Sequence, residues 1–324
     1  MVKVIQWVLD TRPLWPEAGK TAELSVVAAR AMSLLSEAER ADVLRYYHVK
    51  DAKLSLGSAL LKRLVIAQNC GRDGSCTVSW TSATPVRDER TKPVFYCPPG
   101  SGQQPLLFNV SHQAGLVVLL AVEGAMPGTQ IGVDVVCPRE RRARDLSTIK
   151  SEGWPHYVDV HSSVLSPGEA ERLKKLPFSA ETTPAPEVAV AGGGQAASSS
   201  PVPADELLAY FYSLWCLREA YVKMTGEALL ANWLQELDMR NFAPPGDDGG
   251  GQGRVSDDLR ISFGVMPVTD VDMRIEWFLG REYMISTAVR RPGMNVPAEF
   301  ELGEFELLEM DNVLAAAEAL KTKA

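Results

Sequence analysis

Apolar runs and alternating apolar–polar segments recur along the chain and predict its β-strands. Residues 106–111 and 116–122 flank the break Gln113-Ala114-Gly115, a pattern typical of a β-hairpin. In the segment 131–136, alternate residues would share one face of a sheet. The predicted strands cover residues 2–9, 77–80, 106–111, 116–122, 131–136, 261–266, 273–279 and 283–289.

Apolar residues at helical spacing predict helices between these strands. One begins at Ser36, because Ser36-Glu37-Ala38-Glu39 is typical of a helix start. The others cover residues 53–68, 166–176 and 210–226, with an Ala-rich helical stretch over 313–321. Helices and strands interleave in both halves, which predicts an α/β (α+β) fold.

Two segments have the composition of disordered chain. Residues 180–205 are rich in Pro, Ala, Gly and Ser, and residues 244–257 are rich in Gly and Asp. Neither can bury enough apolar surface to offset the entropy of ordering it. We predict both as disordered insertions within a domain.

Composition and charge narrow the class of protein. A hydrophobic content of 46% and a charged content of 23% are ordinary for a globular protein. No apolar run reaches the ~18 residues of a membrane span, so we expect no membrane partner. The N-terminal apolar run meets Asp10 at once, which indicates a first strand rather than a signal peptide and makes the cytoplasm the expected location. The net charge of −8 argues against nucleic acid as the main partner.

Cysteine usage and a basic segment add two expectations. The odd number of scattered cysteines (5) predicts reduced thiols rather than a disulfide framework or a zinc site. Basic residues are concentrated after the strand 131–136, at Arg139, Arg141, Arg142 and Arg144. This segment is either a docking patch for an acidic partner or a solvated loop neighboured by Glu140 and Asp145, and we favour the loop.

Charged residues interrupt the apolar helix around residues 210–226. Trp215, Glu219 and Lys223 are spaced i, i+4, i+8 and therefore line one helical ridge. Charged groups on such a helix must be paired, solvated or used chemically. The pair alone is compatible with an ordinary surface Glu–Lys contact, worth about 0.3 kcal/mol.

Two strands carry further polar residues. The first predicted hairpin strand ends in Asn109-Val110-Ser111-His112, where Asn and Ser could simply cap backbone groups. Asp134 interrupts the apolar strand 131–136, where it either meets a cation or lies at an exposed strand end.

In this order and spacing, the segments resemble the signatures of the Sfp-type 4′-phosphopantetheinyl transferases. The matching residues are Phe108-Asn109-Val110-Ser111-His112, Gly132-Val133-Asp134 and Trp215-Cys216-Leu217-Arg218-Glu219-Ala220-Tyr221-Val222-Lys223. Looser matches are the helix containing Lys62-Arg63 and the loop Thr91-Lys92-Pro93, with Thr in place of the family's Gly. The chain length resembles that of eukaryotic, fungal, broad-specificity members.

The resemblance implies both a fold and a reaction. The expected fold has two similar lobes related by a pseudo-twofold axis, residues 1–128 and 129–324, in a monomer. The implied reaction transfers 4′-phosphopantetheine from coenzyme A to a serine of apo carrier domains and releases 3′,5′-ADP. The implied acceptors are acyl and peptidyl carrier domains of fatty acid synthases, polyketide synthases, nonribosomal peptide synthetases and aminoadipate reductase.

The resemblance also implies site residues. It assigns Mg²⁺ to Asp134 and Glu219, and catalysis to these two residues with Lys223 and His112. The implied coenzyme A contacts are Arg40, Arg45, Lys92, Asn109, Ser111, His112, Asp134, Glu219 and Lys223. Many bacterial relatives have a second acid where this chain has Val136, which cannot bind a metal, so a water is expected in its place.

Two other readings remain open at this stage. The lost acid at Val136 is compatible with a non-catalytic module that binds coenzyme A or a carrier domain. Ser111 and His112 could belong to a serine hydrolase, but neighbouring strand residues point to opposite faces and no Gly-x-Ser-x-Gly surrounds Ser111.

Overall fold

The computed structural model describes residues 2–70, 78–176, 203–227, 231, 233–246, 258–293 and 300–322. The N-terminal half consists of a sheet and several helices. Its elements are β1 (Lys3–Asp10), α1 (Leu24–Val27), α2 (Ala29–Met32), α3 (Glu37–Leu44), α4 (Val49–Asn69), β2 (Val86–Arg87), β3 (Pro93–Val94), β4 (Leu106–Gln113) and β5 (Leu116–Glu123).

The C-terminal half repeats this mixture. Its elements are β6 (Gln130–Val136), α5 (Pro138–Glu152), α6 (Trp154–Val160), α7 (Pro167–Lys174), α8 (Ala204–Thr225), β7 (Leu237–Arg240), β8 (Arg260–Phe263), β9 (Met266–Pro267), β10 (Val271–Phe278), β11 (Tyr283–Arg290), β12 (Glu306–Leu308) and α9 (Met310–Thr322).

The two halves contain units with the same topology. We call β1, α4, β4 and β5 the N-terminal unit, and β6, α8, β10 and β11 the C-terminal unit. In each, the first strand is followed by a long helix and an antiparallel hairpin, whose last strand pairs with the first: β1-β5-β4 and β6-β11-β10. This repetition agrees with the expectation of two similar α/β lobes.

Each sheet buries both faces. One face of the N-terminal sheet, with Trp7 and Leu119, packs against α4, and one face of the C-terminal sheet, with Ile275 and Met284, packs against α8. The opposite faces, including Val118 and Ile285, form a third apolar cluster between the units. Because this cluster is continuous, the two sheets hold each other in a fixed relation.

The C-terminal segment returns to the N-terminal sheet. Strand β12 pairs in parallel with β1, and α9 packs against α4 through residues such as Val313. Arg30 binds Glu318 and Asp311 of α9 at 2.8 Å and 3.1 Å. The lobe boundary between residues 128 and 129 stays a prediction, although 306–322 lie on the N-terminal sheet.

Local sequence signals explain several helix ends. Ser36 and Glu39 form a capping box at α3, as the predicted helix start required, and Ser166 and Glu169 form one at α7. Helix α8 ends at Gly226, whose φ of 79° is a left-handed conformation that favours glycine.

Several predictions need correction. Residues 78–80 are not a strand, and residue 77 lies outside the described residues. The predicted strand 261–266 is instead β8 and β9, separated by a turn at Gly264. The basic residues 139–144 belong to α5, so the expectation of a loop is wrong in this respect. Cys97 is disulfide-bonded, so the expectation of reduced thiols is wrong there, whereas Cys70, Cys137 and Cys216 are free.

The predicted insertions lie mostly outside the described residues. This applies to 180–202 and 247–257, whereas Ala204 and Asp205 already belong to the first turn of α8. Within the described ranges, no helix combines the length and the apolar character needed to cross a membrane.

Candidate active site

Side chains of β4 join the two sheets. β4 and β6 belong to different sheets, yet alternate β4 residues accept hydrogen bonds from backbone N–H groups of β6 and of Cys137, the residue that follows it. The bonds run from Val133 N to Asn109 Oδ1 (2.9 Å), from Val135 N to Ser111 Oγ (3.3 Å) and from Cys137 N to Gln113 Oε1 (3.2 Å). The residues on both sides of Asp134, Val133 and Val135, are therefore bonded to β4 side chains, and these bonds fix the position of Asp134.

A glycine lets β6 approach α8 closely. A Cβ atom at Gly132 would lie 2.2 Å from the carbonyl oxygen of Ala220 and 2.5 Å from the amide nitrogen of Met224. Only glycine fits between these backbones. Because Gly132 and Asp134 share a strand face, this approach brings Asp134 against the ridge of α8 that carries Glu219 and Lys223.

Asp134, Lys223 and Ser111 form a compact polar group. Lys223 Nζ lies 2.6 Å from Asp134 Oδ1 and 2.7 Å from Ser111 Oγ. The Ser111 hydroxyl donates to Asp134 Oδ1 at 2.8 Å. Asp134 is only 5% exposed, so a cation meets the buried carboxylate as its burial requires.

Glu219 lies beside this group without a partner for one oxygen. Its Oε1 is buried and accepts no hydrogen bond from the described residues. The pKa of Glu219 is raised to about 7, first by burial and then by the negative charge of Asp134, against the opposing charges of Lys223 and Arg218. A second cation near this oxygen would relieve both effects.

The donor set suits a hard divalent cation that shares its ligands with phosphate. The described residues contain no cluster of three or more His, Cys, Asp or Glu side chains that could enclose a metal. Mg²⁺ commonly binds one or two carboxylates and completes its octahedron with phosphate oxygens and waters. The unpartnered oxygen of Glu219 and the neighbouring Asp134 fit this pattern.

Val136 lies in the apolar core, at the position where many bacterial relatives have a second acid. Its side chain is 3% exposed and packs in the apolar cluster with residues of α8 such as Leu217. The position is part of the core.

His112 opens towards a polar cleft beside the Asp134 group. The cleft has a volume of about 340 Å³. Its lining contains His112 from β4, Ser58 and Lys62 from α4, Tyr46, and Arg87 from β2. Solvent reaches the His112 ring, but the surrounding walls lower its pKa by desolvation, and the charge of Lys223 lowers it further.

The remaining predicted basic residues lie in different places. Arg45 lines the cleft and pairs with Asp42 at 3.4 Å. Arg40 is absent from the cleft lining and donates to the carbonyl oxygen of Leu35. These placements leave the assignment of Arg40 and Arg45 to coenzyme A as a prediction.

Lys92 connects the two units. Its Nζ lies 3.1 Å from the carbonyl oxygen of Ile131 on β6 and 3.4 Å from that of Met224 near the end of α8. Desolvation lowers its pKa to about 8.

Sequence reasoning did not assign Lys62 and Arg87 to the site. Lys62 belongs to α4, the helix that the family resemblance matches. The packing of α4 on the sheet, which the motif does not specify, decides that the Lys62 side chain lines the cleft. Desolvation, followed by the charge of Arg87, lowers the pKa of Lys62, so the two cations face each other in the cleft. The carboxylates of Glu39 and Asp42 share the cleft with them and act in the opposite direction on the pKa of Lys62.

The geometry disfavours a serine hydrolase. Ser111 is 4% exposed, and its Oγ is engaged with Asp134 and Lys223. His112 points to the other face of β4, as neighbouring strand residues do.

Comparison with known proteins gives one consistent result. A family model described as "4′-phosphopantetheinyl transferase, N-terminal" matches residues 25–124, and one described as "4′-phosphopantetheinyl transferase superfamily" matches residues 130–257. The chain is 49% identical over 319 residues to "4′-phosphopantetheinyl transferase 1" of Fusarium mangiferae, covering 97% of this chain and 95% of that protein. It is 33% identical over 318 residues to "4′-phosphopantetheinyl transferase NpgA" of Emericella nidulans, covering 89% and 83%.

A more distant relative carries a more specific name. The chain is 30% identical over 141 residues to "L-aminoadipate-semialdehyde dehydrogenase-phosphopantetheinyl transferase" of Schizosaccharomyces pombe. The match covers 41% of this chain and 48% of that protein.

Proposed function

The chain belongs to the 4′-phosphopantetheinyl transferase superfamily and transfers phosphopantetheine to carrier domains, and we propose that it does so with Mg²⁺ at Asp134 and Glu219. The observation that carries this proposal is the buried, unpartnered Oε1 of Glu219 beside Asp134. A bound Mg²⁺ would neutralise the negative charge of the coenzyme A pyrophosphate in the reaction.

The transfer exchanges one phosphorus–oxygen bond for another. The oxygen of the carrier serine bonds to the β-phosphorus of coenzyme A, and the bond to 3′,5′-ADP breaks. We assign Glu219 as the acceptor of the serine proton, directly or through water, because a bound cation would keep its carboxylate ionised.

The cationic and neutral donors around Asp134 have distinct roles. Lys223 faces the site with an ammonium group and stabilises the negative charge on the phosphoryl oxygens. His112, whose pKa is lowered by desolvation, is neutral at pH 7 and donates an N–H to a phosphate oxygen. Ser111 fixes Asp134 and Lys223 relative to each other.

We place the nucleotide part of coenzyme A in the cleft next to His112. The carboxylates of Glu39 and Asp42 also line the cleft, and Asp42 pairs with Arg45. Lys62 and Arg87 therefore supply the positive charge that we assign to a nucleotide phosphate. Asn109 and Lys92 support this arrangement through backbone contacts with β6.

The acceptors and the cellular setting are also proposed. The name of the Schizosaccharomyces pombe relative supports an aminoadipate reductase carrier, and hence a role in lysine biosynthesis. We extend the acceptors to carrier domains of fatty acid synthases, polyketide synthases and nonribosomal peptide synthetases. We further propose a cytoplasmic monomer that acts without a nucleic acid or membrane partner.

Intact-mass spectrometry tests the proposal. The purified chain is incubated with coenzyme A, Mg²⁺ and a panel of apo carrier domains. We expect the acceptor to gain the mass of one phosphopantetheine, and the gain to disappear with EDTA and return when Mg²⁺ is restored. Coenzyme A binding without a mass gain on any carrier would favour the non-catalytic reading, and transfer that persists in EDTA would exclude the metal.

A further inference from the structure

One face of α4 forms a wall of the cleft beside His112. Ser55, Ser58 and Lys62 line this wall, and their i, i+3, i+7 spacing places them on one side of the helix. Of these three residues, Lys62 is the one that carries a charge. The cleft volume of about 340 Å³ lies within the range of roughly 300–1,000 Å³ that is typical of ligand pockets. A ligand that fills the cleft therefore meets the Lys62 ammonium group.

The Lys62 ammonium group has no direct partner in the described ranges of the chain, where it forms neither a hydrogen bond nor an ion pair. Its pKa is lowered by desolvation and by the charge of Arg87, and the charges of Glu39 and Asp42 act against this. A half-buried cation in this condition is stabilised by an anion that enters the cleft and bonds to it.

Two carboxylates also line the cleft, and their bonds differ. Glu39 accepts bonds from the Arg63 guanidinium at 2.8–2.9 Å and from the amide and hydroxyl of Ser36 at 2.9 Å and 2.7 Å. Asp42 lies 3.4 Å from Arg45, and the two side chains are 65% and 69% exposed. The scaffold thus neutralises Glu39, whereas Asp42 forms only a solvated pair with Arg45, which also belongs to the cleft lining.

Coenzyme A brings a pyrophosphate and a 3′-phosphate to the site. The proposed function assigns the pyrophosphate to Mg²⁺, Lys223 and His112. The charges of Lys223 and Lys62 both lower the pKa of His112, after desolvation, and of these two lysines Lys62 lines the cleft. The nucleotide part carries the 3′-phosphate, a monoester with a charge of about −1.5 to −2 at pH 7. The anion that reaches Lys62 is therefore the 3′-phosphate.

We propose that Asp42 restrains the binding of coenzyme A, by opposing the 3′-phosphate at Lys62 and by holding Arg45. The inference rests on the proposed function, which places the nucleotide in this cleft. The charge of Asp42 repels the phosphate, and its pairing with Arg45 withholds a second cation of the cleft lining. Lys62 supplies the attraction through a charge-assisted hydrogen bond. The balance of Asp42 and Lys62 sets how strongly the chain prefers coenzyme A to 3′-dephospho-coenzyme A, which lacks this phosphate.

Binding of the two donors to variants of the full chain tests the proposal. Calorimetry measures the Kd of coenzyme A and of 3′-dephospho-coenzyme A with Mg²⁺ present, at low and high salt. The variants are Asp42→Asn and Lys62→Met. The matched control is Glu37→Gln, which removes an exposed carboxylate of the same helix, α3, that does not line the cleft.

We expect Asp42→Asn to lower the Kd of coenzyme A by about 3–10-fold at low salt, and by less at high salt, because exposed charges are screened. The Kd of 3′-dephospho-coenzyme A should change by less than about 2-fold. Lys62→Met should raise the Kd of coenzyme A by about 10–100-fold and leave that of the dephosphorylated donor nearly unchanged. Glu37→Gln should change neither Kd by more than about 2-fold.

A gain in affinity cannot arise from misfolding, so an unchanged Kd of coenzyme A in Asp42→Asn would overturn the proposal. An equal gain for both donors, or an equal gain in Glu37→Gln, would also overturn it, because the effect would not depend on the 3′-phosphate or on the cleft. Equal losses of both donors in Lys62→Met would contradict the placement of the 3′-phosphate at Lys62. If the wild-type chain transferred nothing to any carrier but Asp42→Asn still gained affinity for coenzyme A alone, the proposed function would fail and the restraint by Asp42 would stand.

Discussion

The N-terminal and C-terminal units share an Arg–Glu ion pair as well as a topology. In the first, Arg63 on α4 binds Glu39, which forms the capping box of α3 with Ser36. In the second, Arg218 on α8 binds Glu169, which forms the capping box of α7 with Ser166. The Arg–Glu contacts measure 2.8 Å and 2.7 Å, and both guanidinium groups also donate to backbone carbonyls.

The two units differ in the residue that follows each arginine. Leu64 follows Arg63 and is buried in the apolar cluster of the N-terminal unit. Glu219 follows Arg218 and lies at the active site with an unpartnered oxygen. The same scaffold therefore carries an apolar core residue in one unit and, in the other, the carboxylate to which we assign the chemistry.

The largest expected effect comes from substituting Glu219 and Leu64, the residues that follow the two arginines. Glu219→Gln should lower transfer by at least about 10³-fold, because the base and one metal ligand are lost. Its fold should remain, since the amide matches the carboxylate in shape and carries no charge to bury. Leu64→Ala should show the reverse, a loss of about 3 kcal/mol of stability with turnover of the folded fraction kept. Transfer assays and urea unfolding on the same preparations measure both quantities.

Full activity in Glu219→Gln would remove Glu219 from the mechanism. A similar loss of turnover in the folded fraction of Leu64→Ala would mean that the chemistry depends on both units, and the contrast between them would fail.

The next largest effect tests the shared ion pair. Arg218→Met leaves the fully buried carboxylate of Glu169 without its cation, which should cost about 3–5 kcal/mol of unfolding free energy. Arg63→Met should cost less, because its partner Glu39 is only half-buried. Only Arg218→Met should also reduce kcat beyond its effect on folding, because Arg218 orients the turn that carries Glu219. Denaturant unfolding and kcat measured at a temperature where both variants are folded separate the two effects.

The matched controls are the double variants Arg63→Met/Glu39→Gln and Arg218→Met/Glu169→Gln. Each should recover part of the lost stability, because the uncompensated charge is removed. Equal losses of kcat in both arginine variants would contradict the specific role of Arg218.

A smaller effect is expected where the units meet. Ser111→Ala removes the hydroxyl between Asp134 and Lys223 and the acceptor for Val135 N. We expect transfer at low metal concentration to fall by about 10–100-fold, mainly because Mg²⁺ binds more weakly. The control is Ser58→Ala on α4, which lines the cleft but contacts neither carboxylate in the described bonds. Transfer is measured in both variants as a function of Mg²⁺ concentration. Equal Mg²⁺ midpoints for Ser111→Ala and Ser58→Ala would count against a role of Ser111 in positioning the metal ligands.

The sequence predicts the elements whose signals are local and misses those that depend on distant contacts. Strands β4, β5, β6, β10 and β11 follow from apolar runs and alternation, and α4 and α8 from helical spacing. Strand β12 could not be predicted in this way, because its residues are ordered by pairing with β1, almost the whole chain away. The same holds for the contacts of Asn109, whose partner Val133 lies on another sheet.

The site was predicted through resemblance to a family, and geometry adds what motifs lack. Asp134, Glu219 and Lys223 are brought together as expected. Lys62 and Arg87 enter the cleft because of how α4 and β2 pack, which spacing along the chain does not reveal.

The smallest expected effect is a pH dependence that belongs to the C-terminal unit alone. The pKa of Glu219 is raised from 4.5 to about 7 in the folded protein, so the folded state binds more protons than the unfolded state between these values. Stability of the metal-free protein should therefore be greatest below pH 4.5 for this group and fall as pH rises towards 7, by about 2 kcal/mol. Urea unfolding in EDTA across this range measures the wild-type slope. Glu219→Gln should reduce this slope and leave the part contributed by Glu276, whose pKa burial raises to about 6. Leu64→Ala, which changes the equivalent residue of the N-terminal unit, should keep the wild-type slope at lower overall stability.

Mg²⁺ should also reduce the wild-type slope, because a bound cation favours the ionised carboxylate of Glu219. Parallel slopes for wild type and Glu219→Gln would mean that the carboxylate is already compensated without metal, and the unpartnered oxygen could no longer support a metal site.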